Sequence, residues 1–434
     1  MTLLHPLQSV ILNATENLLF AAVKNEVLVF MSSDDGKYSL VGRWVDDVAN
    51  KKALNAGPGA KKAKINNGKP QEKAQEGKLH VETAEGSHGV QIRNLTLSPD
   101  ETKLVLCADS DKSVVVLNID LQKNVAQSLT CIKRQTFPKR PNSIAILADA
   151  QAIVVADKFG DVFEIPLTEE STSKPGEDSQ PLLGHVSMLT DVLFCEDSNG
   201  RKYLITSDRD EHIKISHYPQ TFIVDKWLFG HQEFVASLHI PSWKPSWLFS
   251  AGGDSCIFCW DWQQGTKLSS FDYAHLIKPY LTDAHFATAR FQNENKDLIE
   301  CAVPKVTTCR NFPFMAFFVE STTVLVILQV CQDTGNLSLK QIIELRYNII
   351  SLSQTSNGFI VTLDNRQSEN KYFVQLIDYV KEHDTFELDE QFTESLDNAI
   401  NQSLTDDTIA NVEITEVAPL YGVINLKKHG EQYS

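Results

Sequence analysis

The chain has 434 residues, 22% charged and 42% hydrophobic, and its 56 acidic against 40 basic side chains leave a net charge of -16. That balance is the composition of a folded acidic protein and excludes a fibrous or wholly disordered chain. No stretch reaches the ~18 uninterrupted apolar residues of a membrane helix. The nearest, Phe312 to Val330, is broken by Pro313 and Glu320, so no membrane is expected as a partner. Met1 to Thr15 carries no Lys or Arg ahead of its apolar residues and is interrupted by His5-Pro6, so no cleaved secretion signal is expected. The eight cysteines are scattered through apolar runs, as at Cys107, Cys195, Cys301 and Cys331, which fits a reducing compartment better than a disulfide framework.

In chain order, the first predicted pair of strands is Leu18 to Val23 and Val27 to Phe30, within a first unit spanning 1–48. Residues 49–91 follow without one aromatic side chain and with Lys at 51, 52, 61, 62, 64, 69, 73 and 78. Such a stretch buries too little apolar surface to fold, and it reads as a flexible basic insertion. Strand pairs then recur at Lys103 to Val116, Ala152 to Ile165, Tyr203 to Ser216, Trp247 to Trp260, Phe314 to Val330 and Phe359 to Tyr379, within 92–380. From Lys381 to Glu416 there are eleven acidic residues and one Lys, so 381–434 reads as an acidic tail and terminal segment, more ordered-looking from Tyr421 onward.

Two of these copies carry a common signature. Gly184-His185 and Gly230-His231 precede them, the two histidines lie 46 residues apart, and Asp210 and Asp254 each stand six residues before Ser216 and Trp260. A period of ~45 residues with four short strands per unit, closing on Trp260-Asp261, resembles the WD-repeat family and predicts an all-β, seven-bladed β-propeller. His next to Asp could serve general-base catalysis. The structural alternative is favoured: His185 with Asp210, and His231 with Asp254 and Trp260, form buried tetrads that tie down turns. Ser216 in place of Trp weakens the first of them.

Other chemistry finds little support. Cys256 and Cys259 have the spacing of a zinc or redox pair, yet three residues apart on a strand they face opposite sides of the sheet. Gly68-Lys69 is followed by Pro70 where a phosphate loop needs Ser or Thr. There is no Gly-x-Gly-x-x-Gly after a strand and no Gly-x-Ser-x-Gly elbow, so no catalytic, cofactor or metal residue is assigned. A body of negative sign repels polyphosphate, so nucleic acid would be held by a partner or by small basic patches. The Lys run suits a solvated linker, a nuclear-import signal around Lys61-Lys62-Ala-Lys64, or an RNA-touching arm. By contrast, Asp208-Arg209-Asp210-Glu211-His212 is more ionisable than a short turn requires, which favours a recognition surface.

A closer resemblance rests on particular residues. Ser207-Asp-Arg-Asp-Glu-His-Ile-Lys214, Ala108-Asp-Ser-Asp-Lys112, Ala156-Asp-Lys-Phe-Gly-Asp161, Phe271-Asp-Tyr273 with Ile277-Lys-Pro-Tyr280, and Arg290-Phe-Gln-Asn-Glu-Asn295 look like the fungal non-catalytic WD-repeat subunit of tRNA (guanine-N(7)-)-methyltransferase. The ends, His5-Pro-Leu7 and Lys428-His-Gly-Glu-Gln-Tyr-Ser434, resemble its termini. The resemblance implies a non-enzymatic chain that pairs as a heterodimer with a separate catalytic subunit, which would hold S-adenosylmethionine and methylate a guanine of the tRNA variable loop. tRNA would be met mainly through the complex, and residence would be nuclear, with the cytoplasm as a second compartment. On it, Lys214 matches a basic position that meets acidic residues of the partner, with Arg209, Glu211 and His212 beside it around the turn; Lys158 and Lys112 are secondary candidates on blade position alone, in the corresponding turns of earlier blades. Two rival readings are a WD-repeat scaffold of another complex, such as a ubiquitin-ligase substrate adaptor, and a propeller enzyme with a site in its central channel.

Overall fold

Runs such as Leu18–Val23, Lys103–Ala108 and Phe314–Phe318 are apolar along almost their whole length and buried on both faces, the pattern of strands sandwiched inside a stack of sheets. In a computed structural model that describes residues 2–48, 91–169, 175–176, 179–367, 372–403, 412–413 and 420–429, these runs are the second and third strands of seven antiparallel four-stranded sheets. The blades cover residues 9–45, 92–136, 141–184, 189–228, 235–272, 306–344 and 349–389. The first strand of each packs against the first strands of both neighbours, and Ser9–Leu12 against Ile349–Gln354 completes the circle around a central channel. All seven predicted strand pairs are second and third strands of a blade. Of the insertion expected at 49–91, all but Gln91 lies outside the described residues.

Hydrophobic burial is divided evenly round the ring. Each of seven apolar clusters fills the space between two neighbouring blades, as Val105, Cys107 and Val116 meet Ile153 and Val155 between the second and third. Every blade takes its four strands from one continuous stretch of chain, so the ring closes without strand exchange between its ends. Closure comes from the seam cluster, where Leu7, Val10, Leu19 and Phe30 of the first blade meet Ile360, Phe373 and Leu376 of the seventh. A helix, Glu390–Ser403, caps that seam with Leu396, Ala399 and Ile400. The pairing of Thr2–Leu3 with Val412–Glu413 joins the two ends again.

The region 381–434 therefore differs from its reading as a tail. Thr385–Asp389 is the outer strand of the seventh blade, and the helix follows directly. Charge counting missed it because Phe392, Leu396, Ala399 and Ile400 recur at helical spacing beneath an acidic outer face. No described helix is long and apolar enough to cross a membrane.

Candidate docking face on the fourth blade

The outer strand of the fourth blade, Val224–Leu228, has no sheet beyond it, and its surroundings are unusually apolar for an exposed edge. Trp227 is 39% exposed and Phe229 72%, with their rings stacked 6.4 Å apart at 19°. Val186 is fully exposed and follows His185, whose ring lies 6.1 Å from that of Trp227, and Phe222, Ile223 and Val224 are exposed at the start of the same strand. Clustered exposed apolar side chains, such as the stacked Trp227 and Phe229, mark candidate contact sites, whereas isolated ones do not.

Lys214 lies one strand in from this edge, opposite Trp227. On the strand Ile213–Tyr218 its side chain runs inward, only 5% exposed, and Nζ donates to the Gly184 carbonyl at 2.7 Å while lying 5.5 Å from the Trp227 ring. Burial lowers the Lys214 pKa, opposed by the negative charge of Asp208. The His212 ring packs edge-on to Trp227 at 5.6 Å and also approaches Asp208, with Nδ1 3.3 Å from Oδ2. Cation, imidazole and indole thus form one unit. Glu211 is exposed at the tip of the turn, with a left-handed φ of 68°.

Arg209 belongs elsewhere. Its Nε donates to the Leu426 carbonyl at 2.6 Å and Nη2 to that of Lys427 at 3.4 Å, so the guanidinium is held by the chain's own C-terminal segment rather than standing beside Lys214 at the edge. Lys112 and Lys158 are exposed and gather with Lys139, Arg140 and Phe159 around a shallow cavity that Asp109 also lines. Lys139 Nζ lies 3.8 Å from the centre of the Phe159 ring, which is 60% exposed. This cationic group adjoins the apolar edge, because the turn of the third blade bonds the next loop through His185 N–H to the Gly160 carbonyl at 2.8 Å. Gly160 has φ 105°, and a Cβ there would stand 2.5 Å from the His185 carbonyl oxygen, so only glycine allows that approach.

The buried tetrads lie behind the same face. In the fifth blade His231 bridges Asp254 at 2.6 Å and Ser250 at 2.7 Å, and Trp260 Nε1 donates to the same Ser250 hydroxyl at 2.8 Å. In the fourth blade His185 is bonded to Asp208 at 2.8 Å and Thr206 at 2.8 Å, which corrects the expected pairing with Asp210. Asp210 lies two residues further along the turn, where it accepts from Ser187 at 2.6 Å and pairs with Lys428. Counting back from Ser216 misplaced the acid because the two hairpins are equally long, with Leu204 opposite Ser216 as Leu248 is opposite Trp260, yet the acid that meets the histidine stands two residues earlier on the fourth; counting on by the His-to-His interval of 46 from Asp208 reaches Asp254. The chain of bonds stops short of Ser216, whose buried hydroxyl has no partner. Burial holds the His185 pKa below its usual value despite the carboxylate. Of the two strand cysteines, Cys259 is buried and Cys256 partly exposed, and desolvation pushes the Cys259 thiol up to about 12.

Sequence reasoning thus placed Lys214 and His212 together but assigned no role to Trp227, Phe229 or Val186. The run Phe222-Ile-Val-Asp-Lys-Trp-Leu-Phe229 carried the signal, since an edge strand needs only one apolar face.

A family profile described as "tRNA methyltransferase TRM82 WD40 domain" matches residues 19–181 and 168–377. Proteins named "tRNA (guanine-N(7)-)-methyltransferase non-catalytic subunit TRM82" are similar along the whole chain. The one from Vanderwaltozyma polyspora is 46% identical and that from Kluyveromyces lactis 44%, each covering 100% of both chains. The Saccharomyces cerevisiae S288c protein is 44% identical with the same coverage. Among solved structures, that titled "Structure of U3-55K" has a TM-score of 0.56 at 14% identity, covering 83% of this chain and 89% of the other, and supports the propeller fold.

Proposed function

The chain belongs to the family of non-catalytic subunits of tRNA (guanine-N(7)-)-methyltransferase, and from that premise we propose that it forms a heterodimer with the catalytic subunit through the edge of the fourth blade. The observation that carries this reading is the exposed pair Trp227 and Phe229 set against Lys214 and His212. Aromatic anchors supply apolar area at little entropic cost and dominate the energy of protein contacts. A cation held among them, within a chain of net charge -16, selects an acidic residue on the opposing surface. The heterodimer would leave S-adenosylmethionine and the methyl transfer to the partner. The rim residues Lys112 and Lys158 continue the docking face, and with Lys139 and Arg140 they give tRNA phosphates a cationic stretch to approach once the pair has formed.

Titration of the purified catalytic subunit into this chain tests the face. Phe229→Asp is expected to weaken the complex at least ~10-fold, and Lys214→Met to cost about 2 kcal/mol or more by leaving a partner carboxylate unpaired. Lys214→Glu is the poorer probe, because it would place a second carboxylate next to buried Asp208 and disturb the blade itself. Unchanged affinity in both variants would reject the fourth blade as the contact. For the RNA-facing stretch, alanine at Lys112, Lys139 and Lys158 together should reduce by about 2 to 3 the slope of log K for tRNA against log salt measured on the pair.

A further inference from the structure

One end of the central channel is covered by Leu420–His429, a segment with a single 3-10 turn at Ile424–Leu426 and no strand partner among the described residues. It is held by side chains that reach up from four consecutive blades and their connections. Glu320, itself only 6% exposed, accepts the N–H groups of Gly422 at 2.6 Å and Val423 at 2.9 Å on Oε1, and that of Ile424 at 2.9 Å on Oε2. Tyr421 donates to Asp364 of the seventh blade at 2.7 Å. Arg209 of the fourth blade donates to the carbonyls of Leu426 and Lys427. Lys427 pairs with Glu233 at 3.1 Å and Lys428 with Asp210. His429 meets Glu300 at 2.7 Å and stacks on Phe291 with ring centres 3.6 Å apart at 4°.

These contacts have the form of ligand recognition. A buried carboxylate gathers three successive amides, as an anion is gathered by a backbone nest, but here the protein supplies the anion and the segment supplies the nest. Acidic acceptors then lie under each of the two lysines and the histidine, so the site selects a peptide with a free amide turn followed by basic residues. We propose that the channel mouth is a peptide-binding site loaded in cis by the C-terminal segment, which clasps the fourth to seventh blades. The clasp gives this half of the ring a tie that strand exchange does not provide. It also shares the turn Arg209–Asp210 with the docking edge, although the clasp itself stands without that edge being the partner contact.

The test cuts the chain after it has folded, which avoids a truncated chain that fails to fold. A specific protease site is inserted between Glu416 and Val417 of the full chain, the purified protein is cleaved, and the material is passed through gel filtration. The C-terminal fragment is expected to co-elute with the ring, and a labelled peptide of residues 417–434 is expected to exchange into the site. Glu320→Gln should weaken peptide binding at least tenfold, since the neutral amide loses the charge and turns a donor toward N–H groups, and Arg209→Ala should do so to a lesser degree. A fragment that separates from an otherwise intact ring would overturn the proposal. So would equal retention by Glu320→Gln, with circular dichroism showing the same fold.

Discussion

A single hydroxyl separates the two tetrads. In the fifth blade Trp260 completes a path through Ser250 and His231 to Asp254, whereas in the fourth the path from Asp208 through His185 and Thr206 turns to the Lys214 carbonyl and leaves Ser216 buried and unbonded. Removing one member of a satisfied buried network strands its partners, but removing an unpaired group strands nothing. His231→Ala should therefore cost about 2 to 4 kcal/mol in denaturant unfolding, while Ser216→Ala should be neutral or stabilise by up to about 1 kcal/mol. If Ser216→Ala destabilised as much as His231→Ala, the hydroxyl would have a partner after all. The identities of His231, Asp254 and Trp260 were legible because one repeat matched its consensus throughout. Asp208 was obscured by a neighbour of the same type two residues away, although it alone keeps the 46-residue spacing of the histidines, and the bond from His185 settles the choice.

Among elements, the helix Glu390–Ser403 shows how one segment can carry two signals. Its acidic residues suggested a solvated tail, yet its apolar stripe closes the seam, and Leu396 and Ile400 are fully buried there. Between them lies Asp397, whose Oδ1 accepts the Phe373 N–H at 2.8 Å and whose pKa burial raises from 3.8 to about 7. A carboxyl that holds its proton more tightly in the folded state stabilises it at low pH, and that advantage is lost as pH rises from about 4 through 7. Asp397→Asn is accordingly expected to gain about 1 to 3 kcal/mol relative to the parent between pH 5 and pH 8, read from denaturation at both values. A difference that did not change with pH would show that Asp397 is not the group responsible. Strands were more legible than this helix, because continuous apolar runs of six or seven residues leave few alternatives, whereas an amphipathic helix in an acidic region is hidden from any count of charge.

At the scale of the molecule, seven blades and their order could be read from the repeat alone, but the joining of the ends could not. The seam depends on residues far apart in sequence, such as Leu19 and Phe373, which no local period links. The docking edge was half legible for a related reason. Lys214 stood out by resemblance, while the apolar side chains around it belong to a strand whose outer position becomes evident only when the sheet is assembled.

The contiguity of each blade has a consequence for biosynthesis. Since none waits for a strand from the opposite terminus, every sheet can complete its hydrogen bonding as it emerges from the ribosome, and the growing protein passes through a series of open arcs. Each arc exposes two unmatched apolar walls: the one at its growing end is covered when the next blade arrives, and the one on the N-terminal sheet stays uncovered for nearly the whole of translation.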